Sequence, residues 1–258
     1  MSFLKRTLAS VGIGAARVDT ILDSERTHPG GELSGNIHIQ GGDLAQEIEH
    51  IELSLVTRYL QEIGSDDVYV NHPLSKTRLR ERFEVQPGAT LDLPFSLQVP
   101  WETPLTLGRT LVWVNTALSV SLAVDPTDRD ALRVEPTAGM LAILEALGQL
   151  GFTLYKADCE HNRRLGRSVP FVQELEFRPG GRYAGRMKEL EVVLAPELGG
   201  VQVWMEADLR ARGLASALLG DLDLNERFAQ AYFNDSQLAR GADAIAPELA
   251  RAIDTRLH

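Results

Sequence analysis

Apolar residues recur at every second position in stretch after stretch of this chain. Leu118, Val120, Leu122 and Val124 interleave with Ser119, Ser121 and Ala123, and Leu91, Leu93, Phe95, Leu97 and Val99 alternate with Asp92, Pro94, Ser96 and Gln98. Val201, Val203, Met205, Ala207 and Leu209 do the same against Gln202, Trp204, Glu206, Asp208 and Arg210. Successive side chains of a strand point to opposite faces, so each stretch reads as a strand with one face in a core and one in water. Pro94 donates no ladder hydrogen bond, which predicts an edge strand or one interrupted there. The same reading gives strands over 15–23, 32–40, 46–61, 67–71, 77–85, 109–114, 152–158, 171–178 and 188–195. Turn chemistry falls between them, at Pro29-Gly30-Gly31, Gly41-Gly42-Asp43, Pro87-Gly88, Pro179-Gly180-Gly181 and Gly199-Gly200. About a dozen short strands without regularly alternating helices predict antiparallel β-sandwiches, and a Rossmann or TIM-barrel reading is poor.

Helical periodicity is confined to a few places. Met140, Ile143, Leu144, Leu147 and Leu150 predict an amphipathic helix over 138–150. A second pattern runs from Ser236, read as an N-cap, through Leu238, Ile245, Leu249 and Ile253, with Pro247 expected to break or restart it. The turn-forming, charged run Asp125-Pro126-Thr127-Asp128-Arg129-Asp130 reads as a domain boundary. With 258 residues there is room for two domains, and the expectation is an all-β chain of two tandem sandwiches, 1–130 and 131–220. A short inter-domain helix and a partly helical tail over 221–258 complete it.

Charge narrows the partners. Lys plus Arg number 26 against 36 for Asp plus Glu, a formal net charge of -10, so a polyanion such as nucleic acid meets a repulsive field. The single cysteine, Cys159, excludes an intramolecular disulfide and a multi-cysteine zinc site, and fits a reducing, cytoplasmic setting. No apolar run approaches the ~18 residues of a membrane-spanning helix. Residues 2–16 only loosely imitate a signal peptide, since Thr7, Ser10 and two glycines interrupt the apolar stretch. They read instead as a short helix or arm.

Catalytic and cofactor motifs do not survive inspection. Gly12-Ile13-Gly14 lacks the third glycine of a dinucleotide fingerprint and runs into a predicted strand, where that motif needs a helix N-terminus. Gly31-Glu32-Leu33-Ser34-Gly35 lacks the spacing of a nucleophile elbow. The six histidines are scattered singly, and only Cys159 with His161 share a strand face on which a soft metal would need further, remote ligands. Asp125, Asp128 and Asp130 lack the order of a calcium loop and read as Asx turns with an Arg129 ion pair. Asp208, Arg210 and Arg212 alternate on one strand face as a contact network or solvated edge decoration. Asp125, Asp128, Arg129, Asp130, Asp208, Arg210 and Arg212 are therefore the inter-domain or partner-contact candidates. Phe3, Leu4, Lys5, Arg6 and Leu8 form a basic amphipathic arm suited to docking on a partner or touching an acidic membrane surface. No catalytic residue, metal site or cofactor is expected.

Several segments carry a family likeness. The opening MSFLKRTLASVGIGAARVDTIL, the PGGELSG turn, LDLPFSLQVPWETPLT, VWVNTALSVSLAVDPTDRD, ELEFRP and DLRARGL together resemble the bacterial sporulation-control protein family, over residues 1 to about 215. The resemblance implies an arrestin-like architecture of two consecutive sandwiches. It also implies a cytoplasmic, non-enzymatic regulator that works by binding other proteins, at the onset of sporulation or in stress response, division or envelope control. One departure is the Gly30-Gly31 pair before Glu32, where arrestin-like chains commonly have one glycine. Weak peripheral membrane contact and a homodimer are compatible with this reading. The alternative is a metal- or small-ligand-binding sandwich, using the carboxylates of 125–130 or the Cys159 and His161 pair.

Overall fold

The computed structural model describes residues 15–120, 124–162, 165–166, 168–208 and 228–257. Strands dominate, with short helices, so the fold is all-β. The chain divides into two compact units: Met1–Arg58, Asn71–Thr103 and Leu111–Val134 make the first, and Tyr59–Val70, Pro104–Thr110 and Glu135–His258 the second.

In the first unit β1 (Arg17–Leu22), β3 (Glu32–Gln40) and β6 (Thr90–Gln98) form an antiparallel sheet in the order β1-β3-β6. The long β4 (Gln46–Ile63) contributes its first part to a second layer, followed by β7 (Val112–Val120), β8 (Thr127–Val134) and the short β2 (Arg26–Thr27). A further strand, β5 (Asp66–Val85), pairs with β4. Alternation does what it predicts: Leu33, Ile37 and Ile39 of β3 are buried, while Glu32, Asn36 and Gln40 are exposed. Ile51, Leu53 and Leu55 of β4 oppose Leu118, Thr116 and Val114 of β7. Each such aliphatic side chain contributes roughly 1.5–3 kcal/mol on full burial. The buried hydroxyls of Thr20 on β1 and Thr116 on β7 meet at 2.6 Å, tying the two layers together. Pro94 sits opposite Asn36 on β6, whose one neighbour is β3, so the expected edge strand is found.

The second unit is built on an antiparallel meander of β9 (Thr153–His161), β10 (Phe171–Arg178), β11 (Glu189–Glu197), β12 (Gly200–Asp208) and β13 (Ala229–Asn234). Its core holds Leu175, Phe177, Leu190, Val192, Val203 and Met205, and three helices pack on it. These are α1 (Ala138–Gln149), α2 (Asp235–Leu238) and α3 (Ala242–Arg256). Thr137 caps α1 by accepting from Met140 N at 3.2 Å, and Ile143 and Leu147 lie on its buried face. The segment Pro104–Thr110 is clamped to β10 by Gln173, whose amide accepts from Leu105 N at 2.9 Å. The same amide donates to Leu105 O and Thr110 Oγ1, at 2.6 and 2.9 Å.

Several expectations shift. The stretches 67–71 and 77–85 belong to one 20-residue strand, β5, because Pro73 lies on a strand with a single neighbour, where a missing donor costs little. The predicted 109–114 and 118–124 strands are largely replaced by one, β7. Within the run 125–130, Thr127 opens β8, and Thr127, Asp128, Arg129 and Asp130 pair with Ala117, Thr116, Asn115 and Val114 of β7. The tail supplies strand β13 as well as helices. Asn234, not Ser236, is the N-cap, in a capping box with Gln237. The helix restarts at Gly241, φ 80°, and Pro247 lies inside α3, where it forfeits one bond to the Asp243 carbonyl. Arg210, Arg212 and the arm residues Phe3, Leu4, Lys5, Arg6 and Leu8 lie outside the described residues.

The Pro29-Gly30-Gly31 turn shows why glycine is needed. Gly30 has φ 73°, its N–H donates to Val99 O at 3.1 Å, and a Cβ there would run into the Trp101 ring. Gly88 has a similar φ of 68° but open space around it. Gly30→Ala should therefore cost more stability than Gly88→Ala: about 1–2 kcal/mol of backbone strain in both, plus overpacking in the first. Equal losses in denaturant melts would refute the Trp101 contact. Gln173→Ala should cost about 1–3 kcal/mol, because it strips both backbone groups of Leu105 of their partner. A melt unchanged from the parent chain would show that the clamp is dispensable.

Candidate functional site

The acidic residues of 125–130 are used inside the first unit. Asp125 Oδ1 accepts from Val120 N at 2.9 Å, which ties Asp125 to the end of β7. Asp128 Oδ2 accepts from Thr20 N at 2.6 Å and so braces β1 against β8. Arg129 stacks its guanidinium 3.8 Å from the centroid of the Trp113 ring, a cation–π contact. Asp130 is pushed up to about 6 by burial and by the Asp128 carboxyl, with Asp19 and Glu25 adding to the repulsion. It borders a cavity of about 300 Å³ with Thr20, Ile21, Leu22, Glu25 and Ala131. These contacts make the run a brace of the sandwich.

Cys159 and His161 part company. Cys159 is fully buried, and its thiol is pushed up to about 12, mainly by desolvation, which holds it in the protonated form at neutral pH. His161 is exposed and stacks on Tyr59 with centroids 6.1 Å apart. Asp158 beside them is buried and accepts from the Tyr69 hydroxyl at 2.5 Å. Among the described residues no group of three or more His, Cys, Asp or Glu is arranged to hold a metal ion. Asp208 accepts from Lys188 Nζ at 3.3 Å. No helix among the described residues is long and apolar enough to cross a membrane.

One charged arrangement emerges only with strand register. Lys156 of β9 faces Glu176 of β10, Glu176 faces Glu191 of β11, and Glu191 faces Glu206 of β12. Three carboxylates thus stand in one row with a single lysine at its end, and Lys156 Nζ lies 2.5 Å from Glu176. Like charges directly opposite on a sheet repel. Glu174 shares the face with Glu176, and burial, followed by Glu160, Glu191 and Glu176, pushes it up to about 8. Burial and then Glu206, Glu176, Glu189 and Glu160 push Glu191 up to about 7. The Tyr155 hydroxyl, 2.7 Å from Glu176 and 2.6 Å from Glu189, is itself pushed up by those acceptors. Beside the row lies a small apolar cluster of Leu165, Val172 and Val193 with Trp204 and Phe228, which deepens the desolvation. Chemically the face binds protons and attracts cations. Its trace in the sequence is the Glu-x-Glu spacing at 174–176 and 189–191, which passes for solvated decoration until the strands are aligned.

The pH dependence follows. Glu174 and Glu191 have folded-state values above the ordinary 4.5, so the fold binds extra protons, and stability is lost as pH rises towards about 8. Melting temperature should fall from about pH 6 to about pH 8 and level off above that, and Glu174→Gln with Glu191→Gln should flatten that slope while stabilising the chain at the alkaline end. A slope that survives the double substitution would remove the row as its source.

With this geometry in hand, comparison with known proteins is informative. The family model described as SpoOM protein matches residues 4–211. The chain is 38% identical over 239 residues to the sporulation-control protein Spo0M of Bacillus subtilis (strain 168), covering 92% of this chain and 93% of that protein. It superposes on the crystal structure of Bacillus subtilis Spo0M with a TM-score of 0.86 and 35% identity, over 95% of this chain and 100% of the other. The family match over most of the chain and the near end-to-end likeness in sequence and structure place this chain in the Spo0M family of sporulation-control proteins.

Proposed function

We propose that this protein is a non-enzymatic cytoplasmic regulator that works by binding other proteins, on an arrestin-like arrangement of two sandwiches. The observation that carries the reading is the match to a sporulation-control protein over nearly the whole of both chains, at an identity that preserves the fold. Physical chemistry supports it in two ways. Asp128 is engaged in a bracing contact and Glu191 in mutual repulsion with neighbouring carboxylates. The edge strands of the described sheets, such as β6 and β13, carry backbone donors and acceptors suited to pairing with a partner strand. Sporulation is one setting for such a regulator, and stress, division or envelope control is another. The partner-contact candidates Asp208, Arg210 and Arg212 remain part of this proposal, as does the arm at Phe3, Leu4, Lys5, Arg6 and Leu8.

Crosslinking of the full chain in its native cell, followed by affinity capture, should recover a reproducible protein partner. Capture should weaken when a sheet edge or the tail helix α3 is altered. A chain that crosslinks to nothing under conditions that trap known complexes would defeat the proposal.

A further inference from the structure

The described surface holds one concentration of positive charge that nothing above has used. On β5, Lys76, Arg78, Arg80 and Arg82 follow one another at every second position, and all four are exposed. Alternation places them on one face, with same-face neighbours about 7 Å apart. Lys76 is held by Glu52 on β4 at 3.0 Å. Arg78, Arg80 and Arg82 have no ion pair among the described residues, and Arg80 rests on the Phe83 ring at 4.6 Å. Three unpaired arginines in a row are unexpected in a chain of net charge -10. The strand's one described neighbour is β4, so among the described residues its other edge has no strand partner for its backbone donors and acceptors. Arg82, at φ 31°, is the one described non-glycine residue with positive φ and kinks the strand at the end of the stripe.

We propose that the edge of β5 from Lys76 to Arg82 docks an extended acidic peptide segment of a partner protein, added as a further strand with Asp or Glu at every second residue. The match is one of period: an added strand carries its same-face side chains at the repeat of the arginines, so backbone pairing and charge pairing are satisfied in a single register. Long polyanions are disfavoured. A nucleic acid or an anionic bilayer extends well beyond the stripe and meets the acidic remainder of the surface. A short strand stays within about 8 Å of its counter-charges at physiological salt. The inference rests on the reading of the protein as a partner-binding regulator and names the chemistry of one partner surface.

The test uses the full chain and a fluorescein-labelled decapeptide of alternating Glu and Thr, read by fluorescence anisotropy. The comparison probe is the isomer with its glutamates in one block. The alternating peptide should bind about tenfold more tightly than the block isomer, since only it satisfies both registers. Arg78→Glu with Arg80→Glu should weaken it at least tenfold, Arg78→Gln with Arg80→Gln by less, and added salt should weaken it further. These side chains are exposed, so an unchanged melting temperature shows that the variants fold. N-methylation of alternate peptide backbone nitrogens should also abolish binding. Equal binding of the two isomers, indifference to the arginine substitutions, or preference for phosphatidylglycerol vesicles or single-stranded DNA would overturn the proposal. Peptide failure alongside intact crosslinks in the cell would sink the stripe alone, whereas loss of all crosslinks would sink the broader reading.

Discussion

Every sheet in this protein has one apolar face that must be kept from water, and the rest of the structure answers that requirement. In the first unit two layers present their aliphatic faces, with Ile37 and Ile39 on one and Ile51, Leu53, Leu55 and Leu118 on the other. In the second unit the meander buries Leu175, Val192 and Val203, and helices α1 and α3 supply cover through Ile143, Leu147, Ile245 and Leu249. A single exposed ion pair contributes about 0–1 kcal/mol, less than one buried leucine. Burial decides the fold, and charge is left free to decide what happens on its surface.

That division of labour explains why the charged residues look so different at their several locations. Asp128 does structural work because it accepts a backbone N–H of β1 that lies between the two layers. Glu176, Glu191 and Glu206 oppose one another across three strands, and their repulsion is tolerated because the apolar face behind them is well buried. The arginines of β5 are exposed and have no ion pair among the described residues. Charge at such positions blunts a long edge strand against indiscriminate pairing, and on the proposal made above it also selects the charge of the partner strand.

Much of the architecture is legible without coordinates because period two and turn chemistry are local signals. The strand at 32–40, the edge position of Pro94 and the helix at 138–150 all follow from neighbouring residues. Local signals also mislead where tertiary context outweighs them. The stretches 67–71 and 77–85 read as two strands but lie in one, β5, and Pro247 reads as a break but lies inside α3, whose Leu249 and Ile253 are held against the second unit's core. Ser236 and Asn234 are both competent caps, and the capping box with Gln237 decides between them.

The sequence by itself determined the all-β class, the placement of most strands and turns, and the family likeness. These depend on residue type and on spacing along the chain. Only the tertiary structure decided which strands are neighbours, and with them the row from Lys156 to Glu206, the burial that separates Cys159 from His161, and the clamp of Gln173 on Leu105. The physical reason is that register is a relation between distant segments. Two glutamates tens of residues apart repel only when the hydrogen-bond ladder sets them side by side, and no local pattern encodes that alignment.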